Sequence, residues 1–298
     1  MRCLLIQVWS KYHIGYIHNR YIMLDMISGE KVQNLCHVYI GCQEDFYYNP
    51  QISRQPEKHL DIGHIPPLWN NPSLIFCYSH RILDFSRKVV SIQNPCVIVF
   101  GNSDENITYE VSKPFLESSC VKHIVCQNIQ FAHPKASFLP IGIANAMWPH
   151  GNMGNFNHIT KEKTQEVFCN FSVSTNPTVR GRCVESMNKH GILQTSGFSQ
   201  DTYIQHLANH RYSICPEGNG LDTHRFWESL YVQTIPIATR SSLTEQIKAS
   251  GLPCILIESW ETFSRECLEE YSDYRFDDTY YERLSFATLQ NYILSKLD

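Results

Sequence analysis

The stretch Cys215–Leu230, CPEGNGLDTHRFWESL, packs two glycines, a tryptophan and several ionisable residues into one turn and the start of a helix. The run before it, Tyr212–Cys215, is apolar and stops at Pro216, so a strand ends there. Gly218 and Gly220 allow positive φ and a close approach of a ligand to the backbone. Asp222 stands where an N-cap belongs, and Phe226, Trp227, Leu230 and Tyr231 give the following helix an apolar side. The unit is strand, glycine turn, helix, and it decides for an α/β fold.

A helix start presents free N–H groups and a partial positive charge, which suits an anion. Arg225 lies in the first turn, and Glu228, three residues on, shares its face. A guanidinium for phosphate and a carboxylate for a ribose diol fit a nucleoside diphosphate. An ordinary surface ion pair between Arg225 and Glu228 is the competing reading and stays open at this stage. Asn219 and His224 occupy the same turn and complete the candidate contacts. No G-K-[ST] follows, so this is not a P-loop, and the third glycine of G-x-G-x-x-G is absent.

Outward from the turn, short apolar runs alternate with amphipathic stretches. His37–Cys42, Ser73–Ser79, Cys96–Gly101, His123–Asn128 and Phe138–Ala144 read as strands of a first half. Val167–Ser174, Tyr212–Gly218, Ile235–Arg240 and Cys254–Ser259 do so in a second. Helices are expected over 180–190, 202–210, 222–233, 243–250 and 260–271. Continuous apolar strands separated by helices imply parallel sheets covered on both faces. The glycine-, asparagine- and proline-bearing segment 146–165 reads as a linker. It divides a first domain, 1–150, from a second, 160–278. Residues 279–298 form a terminal helix. A second polar turn, FSVSTNPTVRGRC, places Arg180 and Arg182 at another helix start after a strand. Ligands of open parallel sheets sit beyond the carboxyl ends of strands, so Arg180 faces the same crevice as Arg225.

Composition removes several classes. Net charge is −4 with no run of like charges, which argues against a nucleic-acid binder. Charged residues are 18% and apolar residues 43%, which argues for a packed core rather than disorder. No apolar run is long enough to span a membrane. The opening run Cys3–Trp9 reads as a buried strand rather than a leader, so a soluble, cytoplasmic chain is expected. The twelve cysteines include no C-x-x-C and read as reduced, small apolar residues.

The segment RYSICPEGNGLDTHRFWESLYVQTIPIA resembles the nucleotide-sugar-binding signature of exostosin-like glycosyltransferases. The residues that carry the resemblance are Pro216, Gly218, Gly220, Asp222, Arg225, Trp227, Glu228, Pro236 and Ile237. SFLPIGIANAMWPHGN and LIESW are similar to the segments that lead into and close the second domain of that family. The resemblance implies a GT-B architecture, two Rossmann-like domains with parallel sheets facing a central cleft. It implies a UDP-sugar, with xylose the sugar suggested by the resemblance, held mainly by the second domain. Arg180 and Arg225 would hold the diphosphate and Glu228 the ribose, with a glycan acceptor on the first domain. The terminal helix would cross back to the first domain.

Sugar transfer builds negative charge on the leaving diphosphate. No Asp-x-Asp is present to hold a metal, so arginines and fixed dipoles are expected to do this, with no cofactor. An inverting transfer also needs a base for the acceptor hydroxyl. Asp104, in the polar loop after CVIVFG, is the first choice, with Glu44, Asp45 and His80 as rivals. Tyr47, Tyr48 and Trp69 are candidates to stack on an acceptor sugar. Two other readings share these features: a catalytically silent nucleotide-sugar or glycan-binding module, and a fucosyltransferase-like enzyme using a GDP-sugar.

Overall fold

The computed structural model describes residues 25–156, 163–277 and 279–298. The expected opening strand Cys3–Trp9 lies outside the described residues. Two parallel sheets flanked by helices make up the described chain. The first holds β1 (Val38–Gly41), β2 (His59–Asp61), β3 (Leu74–Tyr78), β4 (Cys96–Gly101), β5 (Val121–Cys126) and β6 (Ala136–Phe138), in the order β2-β1-β3-β4-β5-β6. The second holds β7 (Gln165–Phe168), β8 (His210–Ile214), β9 (Ile235–Thr239) and β10 (Ile255–Ile257), in the order β10-β9-β8-β7. Neighbouring strands pair in parallel throughout both sheets. Every residue of β3 and β4 is buried, as a sheet covered on both faces requires.

The helices that cover the second sheet begin where short polar side chains can cap them. Asn176 caps Pro177–Lys189, Ser199 caps Gln200–Asn209 and Ser241 caps Ser242–Ala249. Several segments depart from the sequence expectations. β6 ends at Phe138, because Pro140 has no N–H to give and Gly142 turns the chain at φ +63. The expected helix at 260–271 is two 3-10 turns, Trp260–Thr262 and Arg265–Tyr271, split where Ser264 caps the second. β2 joins the edge of the first sheet; its short, partly exposed run gave no apolar signal. Within 146–165, Pro149–Gly151 and Met153–Phe156 are 3-10 turns, and Phe156 is fully buried, so this part is packed structure and no bare tether.

The terminal segment forms Tyr280–Arg283 and Phe286–Leu294. Leu289 and Ile293 share a core with Val97, Val99, Val125 and Leu139 of the first half. The Phe286 amide donates to the Asp25 carbonyl at 2.7 Å. The buried Tyr231 hydroxyl accepts from the Ile27 amide at 2.9 Å and donates to the Leu284 carbonyl at 3.1 Å. One phenol of the second half thus ties two strands of chain that run beside the first. Among the described residues, no helix is long and apolar enough to cross a membrane, and the cysteines are free. Cys77, Cys96, Cys126, Cys169 and Cys254 are all buried as small apolar residues.

Candidate functional site at the glycine turn

The turn after β8 leads into the helix His224–Tyr231. Thr223, not Asp222, is its N-cap residue, and no side chain caps the first amides. Neither Gly218 nor Gly220 is among the residues with positive φ, so their smallness is needed for close approach. At Gly220 the approaching group is protein. A Cβ there would lie 2.7 Å from Asn128 Nδ2 and 3.0 Å from the Asp104 carbonyl oxygen. At Gly218 it would lie 3.1 Å from Arg180 Nη2. Asn219 is exposed at the tip between them.

Asp222 is buried, and its carboxylate is already engaged. Oδ2 accepts from the Ile141 amide at 2.8 Å and Oδ1 from Trp227 Nε1 at 2.7 Å. Its own amide donates to Asn128 Oδ1 at 2.8 Å. Burial raises its pKa to about 7, against the pull of these donors. His224 makes the next tie: Nδ1 donates to the Gly142 carbonyl at 2.8 Å. That bond leaves Nε2 as an acceptor in the neutral ring. Burial lowers the His224 pKa, while the Gly142 bond and the charge of Asp104 oppose the shift. The Gly220–His224 face of the turn is therefore docked against the loops beyond β4, β5 and β6.

The other face is cationic. Arg180 is buried, donating through Nε to the Glu217 carbonyl at 2.9 Å and through Nη1 to the Ser172 carbonyl at 2.7 Å. Arg225 donates through Nε to the Asn170 carbonyl at 2.7 Å. Both guanidinium carbons sit against the Phe171 ring, 5.6 and 5.7 Å from its centroid. Neither forms an ion pair with a carboxylate among the described residues. Burial, then the neighbouring charge of Arg225, lowers the Arg180 pKa to about 10. Asn176 ties the two turns together, its Nδ2 donating to the Gly218 carbonyl at 2.9 Å. Arg182 points elsewhere and pairs with Glu261 on the surface.

Glu228 is buried beneath this face and makes no surface ion pair with Arg225. Gln200 Nε2 donates to it at 3.3 Å, and the phenol of Tyr203 shares its pocket. Burial raises the Glu228 pKa, with Arg225 as the main opposing influence. A separate cleft behind the turn, lined by Glu217, Thr239, Ser241 and Thr244, has open space for about one water, too little for a nucleoside.

The base candidates separate clearly. Asp104 is exposed, beside the glycine turn, and its carboxylate accepts no hydrogen bond from the described residues. Asp45 is committed: it accepts from Arg81 Nε at 2.8 Å, the Cys42 amide at 2.7 Å and His80 Nε2 at 2.7 Å. Burial opposes its ionisation, but these three bonds outweigh burial and hold its pKa below the usual range. Asp45 thereby orients His80. Glu44 is exposed on the same helix. Trp69 is buried and cannot stack on a sugar, whereas Tyr47 and Tyr48 are exposed.

Sequence reasoning missed Asn128, Phe171, Asn176, Tyr203 and Gln200. Asn176 before Pro177 is a legible helix cap. Asn128 sits at φ +54, a conformation asparagine tolerates, but nothing in the sequence says what it touches. Among the described residues no cluster of three or more His, Cys, Asp or Glu is placed to hold a metal ion. Compared with protein-family models and with curated proteins, the chain matches none.

Proposed function

We propose that the chain is a GT-B glycosyltransferase that moves a sugar, xylose by the family resemblance alone, from a UDP-sugar to a glycan hydroxyl with inversion. The observation that carries this reading is the pair of guanidiniums, Arg180 and Arg225, packed on Phe171 beside an uncapped helix start and without a carboxylate partner. Two unneutralised cations at the carboxyl end of parallel strands suit a diphosphate. Arg225 offers its terminal nitrogens. Arg180 braces both turns through Nε and Nη1 and keeps Nη2, beside Gly218, for the ligand. Glu228, buried beneath this face, is the carboxylate that the exostosin-like resemblance assigns to the ribose hydroxyls.

In the transfer, the acceptor oxygen attacks the anomeric carbon and gives its proton to a base. The bond to the diphosphate breaks, and the electron pair leaves with UDP. Arg225, Arg180 and the turn amides meet the charge that builds there. Asp104 takes the proton, from its position against Gly220 with its charge felt by His224. A second reading of the base is His80, because Asp45 holds its ring from one side at 2.7 Å.

A melting-temperature panel of UDP, GDP, CMP and free sugars tests the donor, since a ligand stabilises by mass action. UDP-selective stabilisation, with UDP released when acceptor is added, is the expected result, and turnover should survive a chelator. Stabilisation by GDP alone would move the donor to the fucosyltransferase-like reading. UDP binding without turnover would leave a silent binding module. Asp104→Asn should keep UDP binding and lose most transfer; loss in His80→Ala instead would reassign the base.

A further inference from the structure

Three exposed aromatic side chains lie on the segments 43–52 and 145–152: Tyr47 at 59%, Tyr48 at 64% and Trp148 at 41% exposure. No large aliphatic side chain is exposed on either segment. The Tyr48 and Trp148 rings are 6.1 Å apart, Trp148 stacks on His150 at 6.2 Å and 16°, and His150 lies 6.2 Å from His224. The strip thus runs from the helix beyond β1 to the docked side of the glycine turn.

A buried carboxylate builds it. Glu30 is 4% exposed and bonds both ring-bearing segments. Its Oε1 accepts from Asn49 Nδ2 at 2.7 Å, next to Tyr48. Its Oε2 accepts from the Ala146 amide at 3.1 Å, and its amide donates to Asn145 Oδ1 at 2.9 Å. Burying a carboxylate is unfavourable unless its bonds compensate, and here they fix two exposed rings side by side. Rigid aromatic rings held in water suit a ligand with one apolar face and a polar rim. A sugar ring has that form; an aliphatic protein surface would call for exposed Leu, Ile or Val.

We propose that Tyr48, Trp148 and His150 form the acceptor subsite, stacking the rings of a neutral glycan and leading its end to His224. This rests on the transferase reading of the glycine turn for the word acceptor, but not for the binding itself. The donor contacts proposed above include none of these three residues.

The test uses the full chain and neutral hexasaccharides of β-linked glucose, galactose, mannose and xylose. Trp148 is the exposed tryptophan among the described residues, so a bound sugar should shield it from acrylamide quenching. One hexasaccharide should bind, and its affinity, read by calorimetry, should fall at least about tenfold in Trp148→Ala and Tyr48→Ala with UDP affinity unchanged. Equal sugar affinity in both variants overturns the proposal. So does binding of UDP with no hexasaccharide bound. A hexasaccharide held by the strip in a protein that takes up no UDP keeps the glycan site and removes the transfer reaction.

Discussion

At the scale of single residues, the turn divides its labour. Arg225 has the most donors left for a ligand, since its Nε alone is used, on the Asn170 carbonyl, whereas Arg180 keeps only part of its fork beside Gly218. Arg225→Ala should weaken UDP binding by about 1.5–3 kcal/mol, the worth of hydrogen bonds to a charged group, and leave the fold intact. Calorimetry with a melting curve checks both halves. Glu228→Gln keeps the buried shape and removes the charge. Pyrophosphate affinity should hold or rise, because a negative charge felt by Arg225 is removed, while UDP should lose about 1 kcal/mol relative to pyrophosphate if the ribose is bound there. Asp222 belongs to the fold instead. Its folded-state pKa, about 7, lies above the ordinary 3.8, so the folded chain takes the proton first. The stability that this proton brings is fully present below about pH 4 and is lost as the pH rises through about 7. Asp222→Asn lacks it. Urea midpoints should show the wild-type advantage shrinking between about pH 4 and 7, by at most ~1.4 kcal/mol per unit, and level above about pH 8. An advantage that grows with pH would mean that Asp222 is held ionised.

At the scale of elements, the helix His224–Tyr231 is placed by its ends. Gly142 sets the first end, since its carbonyl holds His224. At φ +63, with the Ile27 carbonyl 2.2 Å from any Cβ, no side chain fits there. Gly142→Ala should destabilise the protein by more than ~1–3 kcal/mol, the strain alone, and raise UDP-independent mobility of His224 in NMR spectra. The sequence spelled out these elements well where chemistry is local. The apolar runs ending at Tyr78, Gly101, Cys126 and Ile214 are strands, and the proline and glycines after Ile214 mark the turn. What it could not show is pairing across the chain. Asp222 reads as a cap by position, yet it bonds Ile141, 81 residues away. Gly220 reads as room for a ligand, yet Asn128 fills that room. Arg225 and Glu228 share a helix face, yet burial of Glu228 prevents the exposed pair that spacing allows.

At the scale of the whole molecule, the two halves share a buried apolar cluster and are joined besides by a few polar ties. Asn128 to Asp222, Asp222 to Ile141, His224 to Gly142 and Tyr231 to Ile27 all join segments far apart in sequence. The Tyr231 bond is fully buried, and Tyr231→Phe would strand the Ile27 amide. That should cost about 1–3 kcal/mol. Combined with Asn128→Ala, it should lower the urea midpoint further, because these ties add to the shared apolar core. An unshifted midpoint would show that apolar packing alone couples them. The same ties explain why one side of the turn is closed and the other open. Docking consumes Gly220, Asp222 and one nitrogen of His224, and what remains is the cationic face of Arg180, Arg225 and Phe171. Diffraction from crystals of the full chain soaked in UDP measures that remainder directly. Diphosphate density within hydrogen-bonding distance of the Arg225 terminal nitrogens, above the Gly218 turn, is the expected result. Density elsewhere, or none at UDP concentrations that raise the melting temperature, would contradict it.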